Sequence, residues 1–354
     1  MTAIEIDFAD LAERERNLRA KKDRLRMRDA AEALAVPEAA LLEARRADGS
    51  ALRLKGPDGH DAGLGGLLDG LGAAGEVMAL TRNAHCVHEK HGTYAKPEWY
   101  GAMGQTLGEI DLRLFCRSWA YAYALTEETE AGERRSLQIF NPSGEAIHKT
   151  YPTAGTDKAA WSAILDAARD DVAPAATYEP TPAAKEGRSD GEVDVAALRK
   201  AWSEMTHSHD FFMMLRDQNV GRAQALRLAG SEFAWRLDPA AAQAALEAAS
   251  VESVPIMVFV GNPGCMQIHS GPVEVIKPMG PWINVLDARF NLHLRTDRIA
   301  EAWAVVKPST GGVVHSVELY AEDGSCFCQF FGERPPGEAE RDDWRTLASA
   351  LPRL

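Results

Sequence analysis

The chain repeats itself at a spacing of 180 residues, and that repeat limits its fold more than any single motif. "DLRLFCRSWAYAYAL" from Asp111 is echoed by "NLHLRTDRIAEAWAV" from Asn291, and "SLQIFNPSGEAIHK" from Ser136 by "SVELYAEDGSCFCQ" from Ser316. "EVMALTRNAHCVH" and "PIMVFVGNPGCMQ" keep the same spacing to within one residue. Upstream, "LAVPEAALLEA" resembles "QNVGRAQALRL" at a spacing near 184. Little identity at a steady spacing predicts two structurally similar halves.

Both halves show the same order of patterns. Each opens with helical periodicity, over Leu25 to Arg46 in the first half and Val195 to Leu228 in the second. Alternating runs bounded by Gly, Pro, Asn and Asp follow, and these read as strands and turns. "LRLFCRSWAYAYAL" reads as one strand with Arg113, Phe115, Arg117, Trp119, Tyr121 and Tyr123 on one face. "SLQIFNPSGEAIHKTY" and "HSVELYAEDGSCFCQFF" read as hairpins, each followed by a helix. The class expected is α+β, a tandem duplication in which each half is a large antiparallel sheet with helices packed on it. The Pro- and Ala-rich stretch from Ala173 to Glu192 reads as a linker, so the halves span 1–172 and 193–354.

The 354 residues, 45% hydrophobic and 26% charged, suffice for two packed cores. A net charge of -13 argues against nucleic acid or an anionic membrane as a partner; an anion would need a local basic pocket. The five cysteines are odd in number and include no C-x-x-C pair, which fits a reducing compartment. The N-terminus is charged and helical with no apolar core, so no secretory signal is expected, and no apolar run approaches a membrane span. These features predict a soluble cytoplasmic protein. "GLGGLLDGLGAAG" lacks the preceding strand and lysine of a nucleotide loop, so neither a flavin nor a nucleotide motif is present.

The stretch "MTHSHDFFMMLRDQNVGRAQALRLAG" from Met205 to Gly230 places His207 and His209 at a helix start, with Thr206, Ser208 and Asp210 as possible N-caps. Zinc would need about three or four ligands, and no suitable set lies nearby. A single neutral imidazole suffices as the axial ligand of a flat apolar cofactor, and nearby helix amides disfavour the imidazolium. An exposed capping histidine is the plain alternative. Arg216, Arg222 and Arg227 follow, with Arg222 at a second helix start, and arginine suits carboxylates. Phe211 to Met214 could line a cofactor face or form simple core. Arg113 and Arg117 have His293 and Asp297 as repeat partners, so the second half does not keep the pair. His85, His88 and His91 have a metal-like spacing but would point to opposite faces of a strand; a polar surface loop is the expectation.

"WSEMTHSHDFF", "VGRAQALRLAG", "MALTRNAHCVHEKHGTY", "DLRLFCRSWAYAYAL" and "FGERPPGE" together resemble the haemin-degrading and haem-trafficking proteins of bacterial haem uptake, the HemS/ChuS/PhuS group, over nearly the whole chain. The resemblance implies a haem b cleft in the C-terminal half, with His209 as proximal iron ligand and His207 as alternate. The distal arginine falls on Arg117, with Arg113 as the rival register. Arg222, Lys307 and Arg334 match the residues that hold propionates, and Phe331 matches an aromatic of the pocket wall. Cys328 stands near the C-terminal hairpin where members of the group often have a tyrosine. The implied activity is haem-oxygenase-like degradation that releases iron, with His209 and Arg117 catalytic and an external electron donor or peroxide. A non-catalytic carrier that hands intact haem to a separate oxygenase is the alternative, and a module for another apolar anion is a third reading. Implied partners are haem, a haem importer, and a haem oxygenase or reductase, with no membrane insertion and a monomer or homodimer.

Overall fold

The computed structural model describes residues 6–22, 25–130, 132–181, 188–207, 210–335 and 337–354. Chain order begins with helices α1 (Phe8–Arg19), α2 (Met27–Leu34) and α3 (Glu38–Ala44). Strands β1 (Ala51–Leu54), β2 (Gly75–Arg82), β3 (Cys86–Gly92), β4 (Glu98–Tyr100), β5 (Met103–Thr106) and β6 (Asp111–Phe115) follow. β7 (Tyr121–Thr129), β8 (Gly132–Phe140), β9 (Ala146–Thr156) and α4 (Lys158–Ala168) complete the first half. The second half runs α5 (Val195–Ser203), α6 (Asp210–Asp217), α7 (Arg222–Ala229), β10 (Ala234–Leu237), α8 (Ala241–Val251), β11 (Ile256–Asn262), β12 (Cys265–Gly271), β13 (Ile276–Met279) and β14 (Trp282–Leu286). It ends with β15 (Phe290–Arg295), β16 (Glu301–Ser309), β17 (Gly312–Tyr320), β18 (Cys326–Gly332) and α9 (Asp342–Ala350).

The protein is α+β with two large antiparallel sheets. It divides into two compact units, each with a short loan from the other half. The first contains Gly261–Gln267, and the second contains Asn83–His88. Within the first unit the strands run β1-β7-β8-β9-β2, and β4-β5-β6 form a meander; the second repeats this as β10-β16-β17-β18-β11 and β13-β14-β15. Each borrowed segment carries one of two matching asparagines at or next to its start. Asn83 Oδ1 accepts from the amides of His85 and Cys86 and its Nδ2 donates to the Phe327 carbonyl. Asn262 does the same with Gly264, Cys265 and the Ile147 carbonyl.

Strand alternation builds two cores in each unit. In the first, Ala122, Leu137 and Ile139 pack with Trp161 of α4, while Tyr123, Leu125 and Phe140 on the opposite face pack under α1, α2 and α3. In the second, Ala302, Val317 and Leu319 pack with α8 and Trp344 of α9, while Trp303, Val305 and Tyr320 pack under α5, α6 and α7.

Several sequence expectations need correction. "LRLFCRSWAYAYAL" is not one strand. A 3-10 turn over Cys116–Ser118 separates β6 from β7, and the Trp119 indole donates to the Gly264 carbonyl in the first unit. Arg117 therefore sits in that turn, off the face that carries Arg113. The twin break falls at Thr296–Arg298. The opening helical stretches are broken too: Ala35 is left-handed ahead of Pro37, and Asn219 is left-handed ahead of Gly221. The "RNAHCVHEKH" segment is not a surface loop, because β3 buries Cys86, Val87 and His88. No cluster of three or more potential metal ligands occurs among the described residues. The segment read as linker is docked at both ends. Tyr178 is fully buried in the first unit, and Ser189 and Glu192 form a capping box beside α7, where Gln224 binds Asp190. None of the described helices is long and apolar enough to cross a membrane.

Candidate functional site

The helical layer of the second unit folds onto its sheet around one buried ionic cluster. Trp202 anchors α5, with its indole donating to the Val306 carbonyl, and its ring packs against Phe211 with centroids 4.7 Å apart. Between α5 and α6 the chain turns through Met205–His207. The Asp210 carboxylate reaches back to the amides of Thr206 and His207, and those bonds lower its pKa. Asp210 thus pins the loop from inside the helix rather than serving as the residue before it. His207 is exposed. His209 and Ser208 lie outside the described residues.

Phe211 and Met214 face the core, whereas Phe212 is 70% exposed and Met213 is also exposed. The Phe211-to-Met214 run therefore splits into two core residues and two outward ones, as helical spacing requires.

Beneath Phe211 sits Glu318 of β17, fully buried. Arg222, the first residue of α7, grips it bidentately, with Nη2 to Oε1 at 2.7 Å and Nε to Oε2 at 2.9 Å. The same guanidinium donates to the Tyr320 hydroxyl at 3.0 Å and to Gln329 Oε1 at 3.1 Å. Lys307 of β16, 2% exposed, donates to Glu318 Oε1 and to Ser316 Oγ. Its ammonium stands 4.9 Å from the Phe211 ring centroid and 5.2 Å from that of Phe331, and the Arg222 guanidinium stands 5.0 Å from Phe211. Burial alone would raise the Glu318 pKa, but Arg222 and Lys307 outweigh it and hold the carboxyl well below the usual range. Burial and the nearby Arg222 lower the Lys307 pKa, against the opposing pull of Glu318. Two cations and one carboxylate leave one positive charge in excess, under aromatic rings, two residues along the chain from His209.

The structure thus brings Arg222, Lys307 and Phe331 together. Arg334 lies beyond β18 and donates to the Glu338 carbonyl. Sequence reading missed Glu318, Ser316, Tyr320 and Gln329. "HSVELY" reads only as part of a hairpin, and the face that carries these residues lies under α5, α6 and α7. The repeat held a signal, since Glu318 occupies the position of Gln138 and is the charged one of the two. Cys328 lies on the other face of β18, in the core with α8 and α9, so the hydroxyl at the cluster comes from Tyr320 instead.

In the first unit, Arg113 pairs with Asp111 and donates to the Leu112 carbonyl. Arg117 is exposed and makes no hydrogen bond or ion pair among the described residues. Beside them Tyr100, Met103 and Phe115 stand opposite one another across β4, β5 and β6, and all three are exposed, Tyr100 by 62%. Together they form an exposed apolar row across the three strands.

The model of the haemin-degrading HemS.ChuX domain matches residues 35–168 and again 219–351. The chain belongs to this family. It is 41% identical over 302 residues to the hemin transport protein HmuS of Yersinia pestis, covering 83% of this chain and 86% of that one. It is 40% identical over 328 residues to the hemin transport protein HemS of Yersinia enterocolitica, covering 92% of each. Among solved structures, the holo form of PhuS, a heme-binding protein from Pseudomonas aeruginosa, superposes with a TM-score of 0.93 at 43% identity, covering 99% of this chain and 100% of that one. ChuS, an E. coli heme oxygenase, superposes with a TM-score of 0.83 at 36% identity, covering 96% and 98%. One matched segment falls in each repeat of the chain, and the second begins after α5 and α6.

Proposed function

We propose that this chain binds haem, with His209 as the iron ligand and His207 as its alternate. The observation that carries the reading is the surplus positive charge of Arg222 and Lys307 over Glu318, directly beneath Phe211. Haem is a flat apolar dianion, so it needs aromatic surface and cations together. Arg222 keeps 27% of its side chain exposed and can reach a propionate, while Lys307, at 3%, acts on it through Glu318. Arg334 is the second propionate candidate, and Phe331 is the wall beneath. In the first unit, Arg117, with Arg113 as rival, is the proposed distal donor. Its exposure, its lack of a partner among the described residues and the apolar row beside it support that role. A guanidinium brought to bound haem there would favour negative charge on a small ligand of the iron.

The activity we propose is degradation of haem with electrons supplied from outside, in a cytoplasmic setting downstream of haem import. Similarity to an E. coli heme oxygenase supports it, and similarity to hemin transport proteins supports the carrier alternative. Haemin added to the protein should give a Soret band, and ascorbate should then bleach it while a chelator captures iron. Retention of the band, with intact haem passing to an apo-oxygenase, would establish the carrier instead. Arg117→Ala should leave haem affinity within about threefold, well under the ~1.4 kcal/mol of a tenfold change, and should alter the spectrum of the distal ligand. If Arg113→Ala changes that spectrum and Arg117→Ala does not, the rival register is right.

A further inference from the structure

We propose that the turn between β16 and β17 holds two haem-contacting segments in place, the His207 loop and the chain beyond β18, and that Gly311 is the positioning residue at its centre. The proposal rests on the reading of His209 as iron ligand and Arg334 as a propionate partner. β16 and β17 pair down to Ser309 opposite Gly312, so Thr310 and Gly311 form the tip of the turn. On one side the Thr310 amide donates to the Thr206 carbonyl at 2.8 Å. Thr206 belongs to the loop that Asp210 pins from inside α6, and it precedes His207. The loop is therefore fixed twice, through its amides by Asp210 and through a carbonyl by the turn.

On the other side, residues 337 and 338 lie against Gly311. A Cβ added there would stand 3.1 Å from the carbonyl carbon and oxygen of Glu338 and 3.1 Å from the carbonyl oxygen of Gly337. These are main-chain atoms, which do not swing aside as the end of a long side chain does. The Glu338 carbonyl also accepts from Arg334 Nη1 at 3.2 Å. One carbonyl thus packs on the turn and holds the Arg334 guanidinium. Glu340, 5% exposed, locks this crossing to β17. Its carboxylate accepts from the His315 amide and lies 2.7 Å from His315 Nδ1, while the Trp344 indole donates to the His315 carbonyl at 3.0 Å.

The first repeat differs at each of these points. At the 180-residue spacing, Ala131 matches Gly311, Ala154 matches Arg334 and Ala160 matches Glu340. β9 runs on to Thr156 in pairing with β2, whereas β18 ends at Gly332 and residues 337 and 338 lie over the hairpin tip instead. The first repeat also has no histidine before His60, so it has no loop of this kind to position. Glycine therefore stands in the repeat whose turn has two segments to hold, and alanine in the other.

The test loads the full chain with haemin and follows the Soret spectrum and the transfer of haem to excess apomyoglobin. Gly311→Ala should speed transfer about threefold and Gly311→Val about tenfold or more, because a supporting contact that shifts slightly loosens the site it holds. The Soret band of Gly311→Val should shift as well, which a loss of stability alone does not produce. Apo Gly311→Ala should keep the circular dichroism and unfolding midpoint of the parent. Glu340→Gln, which adds no bulk, should change transfer in the same direction. Parent-like transfer and spectra in both Gly311 variants overturn the proposal, and so does faster transfer that comes with an equal loss of apo stability and an unshifted band. His209→Ala, measured alongside, separates the two readings. A parent-like spectrum in that variant removes the iron-ligand assignment and this proposal with it; a lost spectrum there, with parent-like Gly311 variants, removes the positioning role alone.

Discussion

Glu318→Gln is expected to destabilise the protein by about 3–5 kcal/mol at neutral pH, the usual cost of leaving buried charges uncompensated. The substitution keeps the shape and one hydrogen-bond acceptor but removes the only carboxylate among the described residues that is bonded to Arg222 and Lys307. Two cations would then face each other beneath Phe211. The readout is the urea midpoint of the unit that contains α5, α6 and α7, followed by tryptophan fluorescence, since Trp202 and Trp303 border the cluster. A loss under about 1 kcal/mol would mean that the cluster is solvated and weak, as surface ion pairs are. The pH dependence has a definite sign. The folded-state pKa of Glu318 is depressed, so its contribution is fully present above the ordinary glutamate range. It fades as pH falls through that range toward the folded value.

The sequence displays the architecture because duplication repeats each signal. Hairpins at Asn141–Gly144 and Glu322–Gly324, the helices after them and the start of α7 at Arg222 all follow from turn chemistry and period. What it hides is tertiary. Alternation through "LRLFCRSWAYAYAL" gives no sign of the 3-10 turn, because Trp119 is committed to a carbonyl 145 residues away. His88 reads as a surface residue until β3 is seen inside the second unit's core region. Glu318 sits on a strand whose polar alternation suggests solvent, and only the helices above it make that face an interior. At the candidate site, Arg222, Lys307 and Phe331 are legible by family resemblance and are found together. Their shared partner is legible only as a difference between repeats, acid against amide at 318 and 138.

The iron-ligand assignment carries the largest functional effect. A proximal histidine is the one bond between haem and protein that no neighbouring charge replaces. His209→Ala should therefore weaken haemin binding by more than about tenfold, at least ~1.4 kcal/mol, and circular dichroism of the apo-protein checks that the variant keeps the parent fold. His207→Ala, at an exposed loop position, should retain the parent spectrum and slow haem release at most modestly. The most direct measurement is a haemin titration of the parent, His209→Ala and His207→Ala proteins, read at the Soret band. The account predicts loss of the parent Soret spectrum in His209→Ala alone; an unchanged spectrum and affinity in that variant would contradict it.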